Sequence, residues 1–67
     1  MDWAKNIKKL REKMLLTQQE FADFLGVSFN SISRYENGKF EPTMKIKRQL
    51  MTLFKKYNIV KEDSYEK

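Results

Sequence analysis

The stretch from Thr17 to Gly38 limits the possible folds of this chain, because it carries the start and stop signals of two short helices. The run TQQE that begins at Thr17 is a capping box, in which the Thr17 hydroxyl accepts from the Glu20 amide and the Glu20 carboxylate accepts from the Thr17 amide. Gly26 supplies the positive φ that ends the first of these helices. Ser28 is a good N-cap for the second helix, which ends at Gly38. The sequence therefore predicts two helices of about two turns each, joined by a turn of about three residues.

Two further helices flank this pair, with Asp2 and Thr43 as their candidate N-caps. Apolar residues follow each cap at spacings of three and four, as on one face of an amphipathic helix. No Gly or Pro marks the end of the first helix, which the periodicity places near Met14. Ile59 and Val60 form either a short fifth element or apolar residues that close the bundle or a dimer interface. The predicted inward-facing residues are Trp3, Ile7, Leu10 and Met14, then Phe21, Ala22 and Leu25, then Ile32 and Tyr35, and finally Ile46, Leu50, Leu53, Phe54 and Tyr57.

The length of the chain limits it to one small domain. A chain of 67 residues buries only about 60% of its unfolded surface, and this one has no Cys for disulfides and no His for metal binding. We therefore expect an all-α fold, a compact bundle of four to five helices, with no metal and no cofactor. Residues 1–60 are expected to form the domain and residues 61–67 a polar C-terminal tail.

The charge of the chain suggests a polyanionic partner. The net charge is +5, and the last six residues hold three of the nine acidic residues but only one of the fourteen basic ones. A basic body favours nucleic acid or an anionic membrane, with a lysine-rich solvated surface as the alternative. A membrane role is disfavoured because the aromatic and basic residues are shared among several short helices. No apolar leader or spanning segment is present, which favours a cytoplasmic protein.

The residues needed for catalysis are scarce. The chain has no His, no Cys and no Gly-rich phosphate loop, so we do not expect an enzyme. No small-molecule ligand is evident either.

The run TQQEFADFLGVSFNSISRYENGK that begins at Thr17, together with IKKLRE from Ile7, resembles a known family. It has the small residue Ala22 within the second helix, Gly26 at the turn and a closing ENG. The chain from Ile7 to about Phe54 is similar to the lambdoid phage repressor and Cro family, also called the XRE-type helix-turn-helix. The resemblance implies a lambda-repressor-like bundle, binding to double-stranded operator DNA, often as a homodimer, and transcriptional regulation.

The resemblance also implies roles for individual residues. Asn30 can pair bidentately with adenine and Arg34 with guanine, although Arg34 could instead pair with a surface carboxylate. Arg11 and Glu36 match an ion pair that ties the first helix to the end of the third. The implied base-reading residues are Ser28, Phe29, Asn30, Ser31 and Arg34. The implied phosphate-contacting residues are Thr17, Gln18, Ser33, Asn37, Lys39 and Lys45.

Phe29 departs from the family pattern, which often has a polar residue such as Gln at this position. An aromatic side chain cannot hydrogen-bond a base edge, but it can contact the methyl group of thymine. We therefore expect Phe29 to recognise thymine by apolar contact.

A protein-interaction module, such as an antitoxin or an adaptor, is the alternative function for the same fold. The apolar pair Ile59 and Val60 and the acidic tail favour it, and Phe24 and Phe40 are candidates for a partner surface.

Overall fold

The computed structural model describes residues 1–60, and the proposed tail lies outside them. Four helices and no strand form in the described part, so the prediction of an all-α bundle is confirmed. None of these four helices has the length and apolar character that a membrane span requires. The helices are α1 (Trp3–Lys13), α2 (Gln18–Leu25), α3 (Phe29–Glu36) and α4 (Met44–Lys56).

Each of the four helices begins at the cap residue that the sequence predicts. The side chain of the cap accepts a hydrogen bond from the backbone amide three residues later, at 3.1 Å for Asp2, Thr17 and Ser28 and at 3.5 Å for Thr43. The capping box at Thr17 is complete, because its amide donates to Glu20 Oε1 at 2.9 Å. These bonds satisfy amides that have no partner inside the helix.

A residue with left-handed backbone follows every helix. Gly26 (φ 77°) has the positive φ that the sequence predicts, and Gly38 (φ 73°) lies at the predicted end of its helix. Asn58 (φ 60°) occupies a third such position. Glycine adopts this conformation without strain, and asparagine tolerates it. The backbone can therefore reverse within a few residues at each helix end.

Leu15, at the end of α1, is the unexpected member of this set, with φ 61° and a side chain that is 89% exposed. The Leu15 amide donates to Glu12 O at 3.0 Å and the Leu16 amide to Arg11 O at 3.2 Å, which is the Schellman pattern. Leucine is strained in this conformation. Nothing in the structure explains the choice of leucine here.

The core forms where the inward faces of the four helices meet. Four residues predicted to face inward lie half-buried at its margin instead: Trp3, Met14, Leu53 and Tyr57. Ile59 and Val60 are also half-buried and pack against the core, so they help to close the bundle. The buried residues are Ile7, Leu10, Phe21, Ala22, Leu25, Ile32, Tyr35, Ile46, Leu50 and Phe54.

Candidate nucleic-acid interface

Helix α3 is supported on one face only. It packs on α1 and α2 through Ile32, which is fully buried, and Tyr35, which is 5% exposed. Residues three and four apart share one face of a helix, so Asn30, Ser33 and Arg34 lie together on the side opposite these two. Asn30 and Arg34 are exposed, and Ser33 is half-buried. The fold therefore presents a polar helix face to solvent.

The N-terminal turn of α3 combines a cap with an exposed aromatic ring. Ser28 Oγ accepts from the Ser31 amide at 3.1 Å and lies 3.0 Å from Ser31 Oγ. Phe29 follows the cap directly, and 44% of its surface is exposed. Two hydroxyl groups that are hydrogen-bonded to each other thus lie beside an exposed apolar ring at this helix end.

Arg34 contacts an aromatic ring rather than a carboxylate. Its guanidinium carbon lies 5.7 Å from the centroid of Phe40, within the range of a cation–π contact. No carboxylate of residues 1–60 lies within ion-pair distance of Arg34. The alternative that Arg34 pairs with a surface carboxylate therefore finds no support in the described part of the chain.

The start of α2 is tied to the end of α3 by a side-chain hydrogen bond. Gln18 Nε2 donates to Glu36 Oε1 at 3.0 Å, so this amide has a partner within the protein. Thr17 is exposed, and its hydroxyl and amide both serve the capping box. A phosphate contact by either residue stays a prediction.

Arg11 and Glu36 come together as a nearly buried ion pair. Arg11 Nε lies 2.7 Å from Glu36 Oε2, and the two side chains are 15% and 5% exposed. Arg11 Nη2 donates to Glu36 Oε1 at 3.2 Å, and Nη1 donates to Leu16 O at 3.0 Å. The hydrogen bond to Glu36 raises the pKa of Arg11 above its ordinary value, against the opposing effect of burial. The guanidinium thus joins α1, the loop after it and the last turn of α3.

The remaining candidates for phosphate contact lie beyond α3. Asn37, Lys39 and Lys45 are exposed, and Asn37 Nδ2 is 3.5 Å from Ser33 Oγ. Lys47, two residues after Lys45, contacts other residues of the protein instead. Its Nζ lies 2.7 Å from a carboxylate oxygen of Glu41 and 5.1 Å from the ring of Trp3.

Sequence reasoning missed two contacts that shape this surface, the Gln18–Glu36 hydrogen bond and the Arg34–Phe40 contact. The first joins residues 18 positions apart, and no local pattern signals it. The second had a weak signal, because an aromatic residue two positions after the helix-ending Gly38 falls close to the last turn of α3.

Known proteins match most of the chain. A family model described as Helix-turn-helix matches residues 7–56. Antitoxin PezA of Streptococcus pneumoniae serotype 4 is 46% identical over 57 residues, which are 84% of this chain and 34% of that protein. The SPbeta prophage-derived uncharacterized HTH-type transcriptional regulator YonR of Bacillus subtilis strain 168 is 35% identical over 51 residues, 76% of this chain and 47% of that protein. The chain thus spans between a third and a half of the length of these curated relatives. No solved structure matches significantly.

The matched residues include the capped helices α2 and α3 and the turn at Gly26 between them. The chain therefore belongs to the helix-turn-helix family, in the XRE type to which the lambdoid repressors and Cro proteins belong.

Proposed function

We propose that this protein binds specific double-stranded DNA and regulates transcription, as a repressor, by inserting α3 into the major groove. Membership of the helix-turn-helix family and the two relatives point to a DNA-binding regulator rather than an enzyme. The observation that carries the proposal is the one-sided support of α3, which leaves Asn30 and Arg34 exposed on its outer face. A major groove is wide enough for one α-helix, and each base pair presents a distinct pattern there.

The side chains on and next to α3 recognise different bases. Asn30 pairs with adenine and Arg34 with guanine, because each can make two hydrogen bonds to its base. Phe29 contacts a thymine methyl group with its exposed ring. Ser28 and Ser31 add hydroxyl groups that can donate or accept.

Contacts to phosphate set the affinity and the register of α3 on DNA. Lys39 and Lys45 provide charge, and the exposed Asn37 provides an amide. Affinity should fall steeply with salt, and Lys39→Ala should weaken binding to all duplexes while reducing the salt slope by about one. The proposed phosphate-contacting residues are Thr17, Gln18, Ser33, Asn37, Lys39 and Lys45.

The proposed binding form is a homodimer that acts in the cytoplasm. A two-fold dimer places its recognition helices on half-sites roughly 34–36 Å apart. The resemblance to the lambdoid repressors supports this assembly. The exposed Phe24, which lines an apolar groove of about 350 Å³ with Leu53, offers surface that a second copy could cover.

The test begins with selection of bound sequences from random duplex DNA, followed by fluorescence anisotropy on the selected duplex and its single-pair variants. Arg34→Ala should relax selectivity at one base pair, and Phe29→Ala should do so at a thymine. Lys9→Ala is the charge-matched control for Arg34→Ala, because it also removes one exposed cation. Lys9 lies on α1, where it lines a groove with Asn58, and not on α3. Equal competition by random and selected duplexes would reject the proposal.

An antitoxin role is the second candidate function. It is favoured by 46% identity to a relative described as an antitoxin. The match spans only 34% of that relative, so most of that protein has no counterpart in the matched residues. Co-expression with the products of neighbouring genes, scored by relief of growth arrest and by co-purification, tests this role. Failure to relieve any arrest would leave DNA binding as the function.

A further inference from the structure

Phe40 lies outside α3, yet its ring packs beside the last turn of that helix. Its ring is perpendicular to that of Tyr35, with centroids 5.6 Å apart and an interplanar angle of 90°. Arg34 lies against the same ring, with its guanidinium carbon 5.7 Å from the centroid. Tyr35 is 5% exposed and Phe40 is 45% exposed, so the ring is anchored on a core residue and open to solvent on another side.

The turn at the end of α3 brings Phe40 to this place. The Gly38 amide donates to Tyr35 O at 3.2 Å and the Lys39 amide to Arg34 O at 2.9 Å, which is the Schellman pattern. Gly38 has φ 73°, so the chain reverses there and returns along the last turn of α3. These backbone hydrogen bonds direct the chain after α3 so that Phe40 lies beside the last turn of that helix.

We propose that Phe40 is a positioning residue for base recognition, holding the Arg34 guanidinium ready to pair with guanine. This inference rests on the proposed DNA-binding function and deepens it. An exposed arginine samples many rotamers, and binding a base bidentately selects one of them. A ring that restricts those rotamers in the free protein reduces the entropy lost on binding. A guanidinium carries five N–H donors, so contact with a ring still leaves donors for the acceptors of guanine.

The test compares Phe40→Leu with Phe40→Tyr on the selected duplex and on a variant with the guanine pair replaced. Phe40→Leu keeps an apolar side chain on Tyr35 but removes the ring. It should weaken binding to the selected duplex about two- to fivefold, the factor that corresponds to an exposed cation–π contact. Affinity for the replaced pair and the salt slope should not change, because no charge is altered. Phe40→Tyr keeps the ring and should retain the selectivity of the original protein.

Two further measurements separate positioning from a merely structural role. In an Arg34→Ala background, Phe40→Leu should have no effect on selectivity, since the side chain to be positioned is gone. In the free protein, NMR should show ring-current shifts at the Arg34 side chain that disappear in Phe40→Leu. If Phe40→Leu does not fold, Phe40→Met takes its place.

Several results would overturn the inference. Tighter binding by Phe40→Leu would mean that Arg34 must leave the ring to reach the base. Unchanged selectivity, or an equal loss in the Arg34→Ala background, would show that Phe40 does not act through Arg34. If Arg34→Ala loses selectivity and Phe40→Leu keeps it, the proposed function stands and only this inference fails. If the original protein binds all duplexes equally, both fail.

Discussion

Replacing Arg11 with methionine tests whether the ion pair with Glu36 stabilises the fold because it is buried. Methionine keeps an unbranched stem but removes the guanidinium that donates to Glu36 and to Leu16 O. The Glu36 side chain is only 5% exposed, so its carboxylate would stay buried with Gln18 Nε2 as the remaining donor. The Leu16 carbonyl would lose a donor as well.

The expected loss of stability is about 3 kcal/mol. Removing one member of a buried ion pair costs about 3–5 kcal/mol, and the 15% exposure of Arg11 argues for the lower end. An exposed pair would contribute about 0–1 kcal/mol. A chain of this length has a total stability of roughly 3–10 kcal/mol, so the variant should be close to unfolding. Urea denaturation followed by far-ultraviolet circular dichroism and by Trp3 fluorescence measures the difference.

Three matched variants identify the cause of that loss. Arg11→Lys keeps the charge but not the planar fork, and should lose less stability than Arg11→Met. Glu36→Gln removes the buried charge and keeps an amide oxygen for Gln18. The double variant Arg11→Met/Glu36→Gln should therefore be more stable than Arg11→Met alone. A loss below about 1 kcal/mol for Arg11→Met, the range of exposed pairs, would contradict a buried ion pair. A double variant no more stable than Arg11→Met would contradict it as well.

Three other changes probe helix ends and surface charge. Leu15→Gly should raise the free energy of unfolding by about 1 kcal/mol, because it relieves a left-handed leucine, and a loss of stability in urea would contradict this. Gly38→Ala should lower the free energy of unfolding by about 1 kcal/mol, because alanine is strained at a φ of 73°. A steric clash does not contribute, since an added Cβ meets no heavy atom within 4 Å. An unchanged free energy of unfolding would show that the turn relaxes. The hydrogen bond from Lys47 lowers the pKa of Glu41 in the folded protein. The pair therefore stabilises the fold at pH values above the pKa of Glu41 in the unfolded chain, and this stabilisation is lost as the pH falls through the pKa of Glu41 in the folded protein. An NMR titration should find the pKa of Glu41 higher in Lys47→Gln than in the original protein, and equal values would discount the contact.

Some features of the candidate site follow from local sequence, and others do not. Exposure of Asn30 and Arg34 follows from the helical period, because Ile32 and Tyr35 take the inward face. The pairing of Arg11 with Glu36 was expected only from the family resemblance, since nothing local connects residues 25 positions apart. Base and phosphate contacts themselves stay predictions.

The helix starts and the inward faces of the helices follow from local sequence alone. Capping is local, since Asp2, Thr17, Ser28 and Thr43 each reach an amide three residues away, and all four were identified from residue type and position. The left-handed turn at Leu15 escaped prediction because leucine does not favour that conformation. Helix packing, by contrast, brings Gln18 to Glu36 and Lys47 to the ring of Trp3. These partners lie 18 and 44 positions apart, so the free energy that places them comes from contacts between residues that no short window of sequence contains.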